Sequence, residues 1–189
     1  RLTEERRRQP QDDLVSVLAH GTKDGRPLTW EELAAYYIVV VAAGNDFDEF
    51  GRGSLSSPGT SDRAITVAEV TSPNGGGAAL AGFSASGPTP LSLRLKPDVS
   101  APGVNILSSV PGGRWETMSG TSMASPQIAG AAALLIERHP SWSVAMLKAS
   151  LIGSGSDVGV AGQAAAPTRG GGGLANPSKA DVPLVLAEP

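Results

Sequence analysis

The sequence predicts an α/β fold built on a parallel sheet, and three stretches carry that expectation. Residues 38–43 (IVVVAA) form a β-branched run with no polar alternation, the pattern of a strand buried on both faces. Residues 64–70 (AITVAEV) give a second strand after the turn Ser57-Pro58-Gly59. From Ser122 to about Arg138, alanines, Leu134, Leu135 and Ile136 make a helix apolar nearly all round, which predicts burial at a domain centre. Strands alternating with helices define the class.

The remaining elements follow in order. The opening RLTEERRRQPQDD is charged and has no apolar centre, so it reads as a solvated start and not as a signal peptide. Because the chain begins at Arg1 and not Met, an upstream part is expected. Residues 14–19 form a short apolar patch whose type the pattern leaves open. Thr29 as N-cap with Glu32 three residues on makes a capping box, predicting a helix to about Tyr37 that feeds the first strand. That strand stops at Gly44-Asn45-Asp46, which is turn chemistry. Residues 93–99 lead into a loop with Pro97, Pro102 and Gly103. Residues 104–110 and 115–118 are extended pieces around the turn Gly112-Gly113. His139-Pro140 ends the long helix, and Ser141 or Ser143 caps another reaching about Ile152, with Trp142, Met146 and Leu151 as core candidates. A Gly/Ala/Pro-rich tail closes on VPLVL, a final strand or the edge of a missing neighbour.

Composition narrows the function classes. With 189 residues, 40% hydrophobic and 17% charged, the chain is ordinary globular material of one-domain size. Its net charge of −3 offers no electrostatic case for nucleic acid or an acidic membrane. No cysteine is present, which removes disulfides, thiol catalysis and cysteine–zinc sites. The longest apolar runs, 38–43 and 128–136, are too short to span a bilayer.

One motif carries chemistry. In SGTSMASP (119–126), Ser122 stands at a loop-to-helix junction. A serine in the first turn of a helix has its own N–H among the unpaired donors there, Gly120 permits a tight turn, and small residues behind it let the helix start deep in the molecule. That geometry suits attack on a carbonyl with the Ser122 N–H at the oxyanion. An isolated serine in such a place is more often an N-cap, and Asn45 after a strand, taken alone, reads as a turn residue.

The motif, followed by Ile128-Ala129-Gly130, resembles the nucleophile segment of the subtilisin-like serine proteases, the subtilases. VVVAAGND (39–46), SSPGTSDRAITVAEV (56–70), FSASGP (83–88), LKPDVSAPGVNILSSVPGG (95–113) and GGGGLANPSKA (170–180) resemble further family segments in the expected order. The likeness implies a partial three-layer subtilisin-like α/β fold, a parallel sheet flanked by helices with the N-terminal half missing. Residues 29–180 would be the C-terminal half of a catalytic domain, 1–28 a non-matching segment and 181–189 a tail. It implies a serine endopeptidase acting on proteins or peptides, with Ser122 as nucleophile and oxyanion N–H and Asn45 as the second oxyanion donor. Ala42, Ala43, Gly44 and Thr121 would contact substrate. No cofactor is required; structural calcium, common among relatives, has no convincing acidic loop here. An extracellular or secreted parent is implied by the family alone.

The chain departs from that pattern where the family brings its aspartate and histidine, on Asp-(Ser/Thr)-Gly and His-Gly-Thr-His motifs; neither occurs. Of two histidines, His20 stands in His-Gly-Thr, but Lys23-Asp24-Gly25-Arg26-Pro27 breaks the helix that should follow. His139 lies on the Ser122 helix about 25 Å away at about 1.5 Å per residue, a helix-end position. Asp46, Asp48, Asp62, Asp98 and Asp157 read as loop carboxylates, Asp98 as a structural hydrogen-bonding residue, and Gln127 replaces a histidine that is not the family's base. Without base and aspartate a serine is a poor nucleophile, so the chain is expected to be inactive alone, with the edge of the first strand open. The alternative is a non-catalytic relic that binds peptides or a partner. An esterase-type hydrolase is disfavoured because no G-x-S-x-G elbow occurs.

Overall fold

The computed structural model describes residues 37–71, 77–160, 162–183 and 185. His20, the Thr29 capping box and the patch at 14–19 lie outside the described residues.

Three short strands form the central sheet: β1 (Val40–Ala42), β2 (Ile65–Val70) and β4 (Val99–Pro102), all parallel, in the order β1-β2-β4. Register pairs Val40 with Ile65 and Val67 with Val99. β2 is buried along its whole length, Thr66 and Glu69 included, as a mid-sheet strand covered on both faces is. Among the described residues β1 is an edge strand of this sheet.

Residues 99–102 were expected to be loop and are strand. Pro102 misled that expectation, yet it is the last residue of a strand on the sheet's outer side, where a missing N–H is tolerated. The next amide, Gly103 N–H, donates to Val70 O at 3.1 Å. β5 (Ile106–Val110) and β6 (Arg114–Met118) then form an antiparallel hairpin.

The long helix α2 (Thr121–Arg138) follows, after the one-turn α1 (Phe47–Phe50) earlier in the chain. It lies across the sheet with Ala124, Ile128, Ala131 and Leu135 against Ile65, Val67, Val99 and Ala101. The expected all-round burial does not hold. Ala129, Gly130, Ala133 and Leu134 face outward, and Leu134 is 61% exposed. Apolar content alone cannot tell a helix covered on every side from one that shows its second apolar face. α3 (Val144–Gly153) is capped by Ser143, whose Oγ accepts the Met146 N–H at 3.1 Å. Its core residues are Leu147 and Leu151, with Met146 only half-buried.

The opposite face of the sheet, lined by Ala68 and Val70, is covered by a second small sheet: β3 (Ala78–Ala79), β7 (Val158–Val160) and β8 (Gln163–Ala164). The one-turn α4 (Pro167–Gly170) joins that layer, its Gly170 O accepting from Ser100 Oγ at 2.8 Å. α5 (Pro177–Asp181) packs on the α2 side through Ala180. The result is three layers with a parallel sheet in the middle, as the sequence predicted. Residues 182, 183 and 185 are not in a strand, so the closing VPLVL has no strand among the described residues.

This packing gives a contrast between two residues of one helix. Ile128→Ala should cost about 2–5 kcal/mol in urea unfolding, because its side chain fills the sheet–helix seam. Leu134→Ala should change stability by no more than about 0.5 kcal/mol.

Candidate active site

The carboxyl ends of the three parallel strands converge on the first turn of α2, where open α/β sheets place their sites. β1 delivers Gly44 and Asn45, β4 delivers Gly103, and the hairpin returns the chain to Gly120, the N-cap of α2. Gly120 has φ 156° and ψ 156°, a conformation essentially restricted to glycine.

Asn45 is tied to this turn by its oxygen. Oδ1 accepts from the Thr121 N–H at 3.0 Å and from Thr121 Oγ1 at 3.0 Å. The Thr121 hydroxyl oxygen in turn accepts the Gly44 N–H at 3.2 Å. Residues 76 apart in sequence are thereby clasped, with Asn45 Nδ2 3.5 Å from where a Cβ on Gly120 would stand. Because Oδ1 takes two donors, the amide's orientation is set and Nδ2 is left as a donor. Among the described residues, Nδ2 has no acceptor.

The other first-turn amides can be followed one by one. Gly120 N–H is shared between Gly103 O at 3.1 Å and Glu69 Oε1 at 3.0 Å, Thr121 N–H goes to Asn45, and Met123 and Ala124 N–H go to Gly120 O. Ser122 N–H donates to no described residue, and the Ser122 side chain is exposed. Asn45 is thus bound to Thr121, the residue before Ser122, and Ser122 N–H and Asn45 Nδ2 are each without a partner among the described residues. Pro126 adds that the Ser122 carbonyl receives no helical bond from the residue four ahead.

The other expected site residues divide. Ala42 and Gly44 are half-buried beside the turn. Ala43 is fully buried between Leu55 and Ala85, so its side chain faces core. Thr121 is fully buried too, its hydroxyl engaged with Asn45 and Gly44. Asp98 is structural as expected: Oδ2 accepts the Thr66 N–H at 2.7 Å and Lys96 Nζ at 2.5 Å. His139 caps the end of α2, stacks on Trp142 at 3.8 Å and meets Asp181 Oδ1 at 2.8 Å. The same carboxylate binds Arg138, which with His139 pulls the Asp181 carboxyl below its ordinary range. That His–Asp pair is at the far end of the helix from Ser122. Gln127 Nε2 donates to Pro102 O at 2.7 Å.

Glu69 is the residue that sequence reading missed. It follows Ile65 and Val67 at the two-residue period of β2, so it lies on the α2 face of the sheet, 0% exposed. Its Oε2 has no partner, and burial pushes its carboxyl up to about 7 against the pull of the Gly120 N–H. The one signal in the sequence was a glutamate inside an otherwise buried strand pattern, AITVAEV.

Comparison with known proteins agrees with this fold. The sequence profile of the Subtilase family matches residues 5–173, a span that takes in residues before the described sheet. A subtilisin-like protease of Arabidopsis thaliana, SBT3.16, is 44% identical over 119 residues, covering 56% of this chain and 16% of the relative. A subtilisin of Bacillus pumilus is 38% identical over 111 residues, covering 59% of this chain and 36% of the relative. Among solved structures, sphericase superposes with a TM-score of 0.62 at 26% identity, over 75% of this chain and 49% of that one. The prenylagaramide maturation protease PagA gives a TM-score of 0.65 at 24% identity, over 85% and 57%, a likeness of fold. The chain thus spans only about half, or less, of the proteins it resembles. With its sheet order, its SGTSMASP turn and the profile match in agreement, the chain belongs to the subtilase family.

Proposed function

We propose that this chain is the carboxyl-terminal half of a serine endopeptidase catalytic domain. Ser122 Oγ attacks the carbonyl of a peptide bond, an acyl-enzyme forms on Ser122, and water releases it. The observation that supports this is a pair of donors without a described partner, Ser122 N–H and Asn45 Nδ2, at the turn that carries exposed Ser122. Both are fixed before substrate arrives, and preorganised donors are what stabilise a developing oxyanion. The substrate residue before the scissile bond would lie along Ala42 and Gly44, with the Ala43 backbone between them.

The base and its orienting aspartate come from the other half of the domain, on the same gene product or a companion chain. The side of β1 that pairs with no described strand and the outward face of α2, with Leu134 and Ile136 exposed, support a neighbour of that kind. No helix among the described residues is long and apolar enough to cross a membrane. The reaction calls for no metal or organic cofactor, and an extracellular place for the parent rests on the family resemblance.

Three outcomes follow for the parent enzyme and this chain. A fluorophosphonate probe should label Ser122 in the longer product; a folded longer product that stays unlabelled would instead support the peptide-binding relic. Asn45→Leu should lower kcat on the order of 10²–10³-fold with KM little changed, the size this loss takes in subtilisin itself. A rise in KM alone would count against the oxyanion role. The purified 189-residue chain should hydrolyse peptides negligibly, and robust turnover would contradict the need for the other half.

A further inference from the structure

Beneath the Ser122 turn lies a buried carboxyl that the acyl-transfer mechanism does not use. Glu69 pairs in register with Ala101 of β4 and reaches the N-cap of α2 from below. Room for it is made by Gly103, where a Cβ would stand 2.8 Å from Glu69 Cγ, 2.8 Å from Gly120 O and 3.1 Å from Ala124 Cβ. The strand amide of Glu69 donates to Ser84 Oγ at 3.0 Å and its carbonyl accepts the Ala81 N–H, so the backbone beneath the side chain is fixed.

We propose that Glu69 is a positioning residue whose proton sets the geometry of the turn that presents Ser122. The lever is the divided Gly120 N–H. An ionised Glu69 draws that N–H toward Oε1, because a charged acceptor makes the stronger bond. A protonated Glu69 accepts more weakly and leaves the N–H to Gly103 O. Gly120 O accepts from Met123 and Ala124, so a shift at Gly120 is passed directly to the turn containing Ser122.

Among the described residues, no charged neighbour competes for this role. β4 is preceded by Asp98, which is committed to Lys96 and the Thr66 amide. The 81–84 turn receives the Arg169 guanidinium on its carbonyls and has Asp48 near Gly82. The β1 tip carries the exposed Asp46, and the first two turns of α2 hold no ionisable side chain. Burial raises the carboxyl and the Gly120 N–H pulls it down, and Oε2 has no partner among the described residues.

The inference rests on the acyl-transfer reading for its meaning in catalysis. There, an ionised Glu69 would set a negative charge at the same helix N-terminus that must stabilise the oxyanion. The coupling itself is readable without catalysis, which keeps the two failures apart: an unlabelled Ser122 would sink the protease and leave the coupling standing.

The test is a pH titration of this chain by NMR, following the Gly120 and Ser122 amides and the Glu69 side-chain carboxyl carbon. All three should move with one midpoint near 7, and in Glu69→Gln the two amides should stay flat over that range. Flat amides in the wild type, or amides that still titrate in Glu69→Gln, would overturn the proposal. Should Glu69→Gln fail to fold, the wild-type carbon decides: a midpoint shared with the amides supports the coupling, and one in the ordinary carboxylate range overturns it.

A melting series adds the stability side. The raised carboxyl binds its proton more tightly in the folded chain, so its stabilising contribution is complete below about 4.5 and is lost as pH rises to about 7. Wild type should therefore lose Tm relative to Glu69→Gln across that window and hold a constant difference above it. A difference that does not change with pH would contradict a perturbed Glu69.

Discussion

The clasp between Asn45 Oδ1 and Thr121 is the interaction on which the site depends. It joins the tip of an edge strand to the start of the long helix through two 3.0 Å hydrogen bonds. By consuming the carboxamide oxygen, it settles which end of the Asn45 side chain faces outward. By consuming the Thr121 amide, it leaves the next amide, that of Ser122, as the first-turn donor without a described partner. Fully buried Thr121 therefore acts from behind, and its hydroxyl also holds the strand tip through Gly44.

A second constraint lies under the first. Strand β2 gives its α2-facing side to Ile65 and Val67 and then places Glu69 where a third apolar residue would pack best. An ionisable group with an unpartnered oxygen in that position is a local cost to the fold. Violations of that kind cluster where function needs a strained or poised geometry. The bond from Gly120 to Glu69 gives this cost a place in the site.

Much of this was legible in the sequence because local physics and packing agree. The runs at 38–43 and 64–70 lack polar alternation, and both became parallel strands; the serine cap at 143 also stands as expected. The family was legible through the SGTSMASP motif, since an eight-residue turn with glycine, serine and small residues has few other uses. What was not legible depended on tertiary cover. Residues 99–102 read as loop because proline ends them, yet their place on the sheet's outer side makes that harmless. The apolar breadth of α2 suggested burial on every side, while Leu134 and Ile136 have no cover among the described residues. Ala43, just past the tip of β1, and Thr121, in the first turn of α2, have side chains that are fully buried, which position in the sequence alone does not disclose. Glu69 went unseen because one letter in a strand does not disclose what lies above it.

The central claim is that one oxyanion-sized space is shared by the Ser122 amide and the Asn45 carboxamide nitrogen. It is tested most directly by a crystal structure of the proposed longer product, phosphonylated on Ser122. The account predicts a phosphonyl oxygen within hydrogen-bonding distance of both Ser122 N and Asn45 Nδ2, with Oδ1 still held by Thr121. A phosphonyl oxygen directed to solvent, or an Asn45 side chain swung away from Thr121, would contradict it.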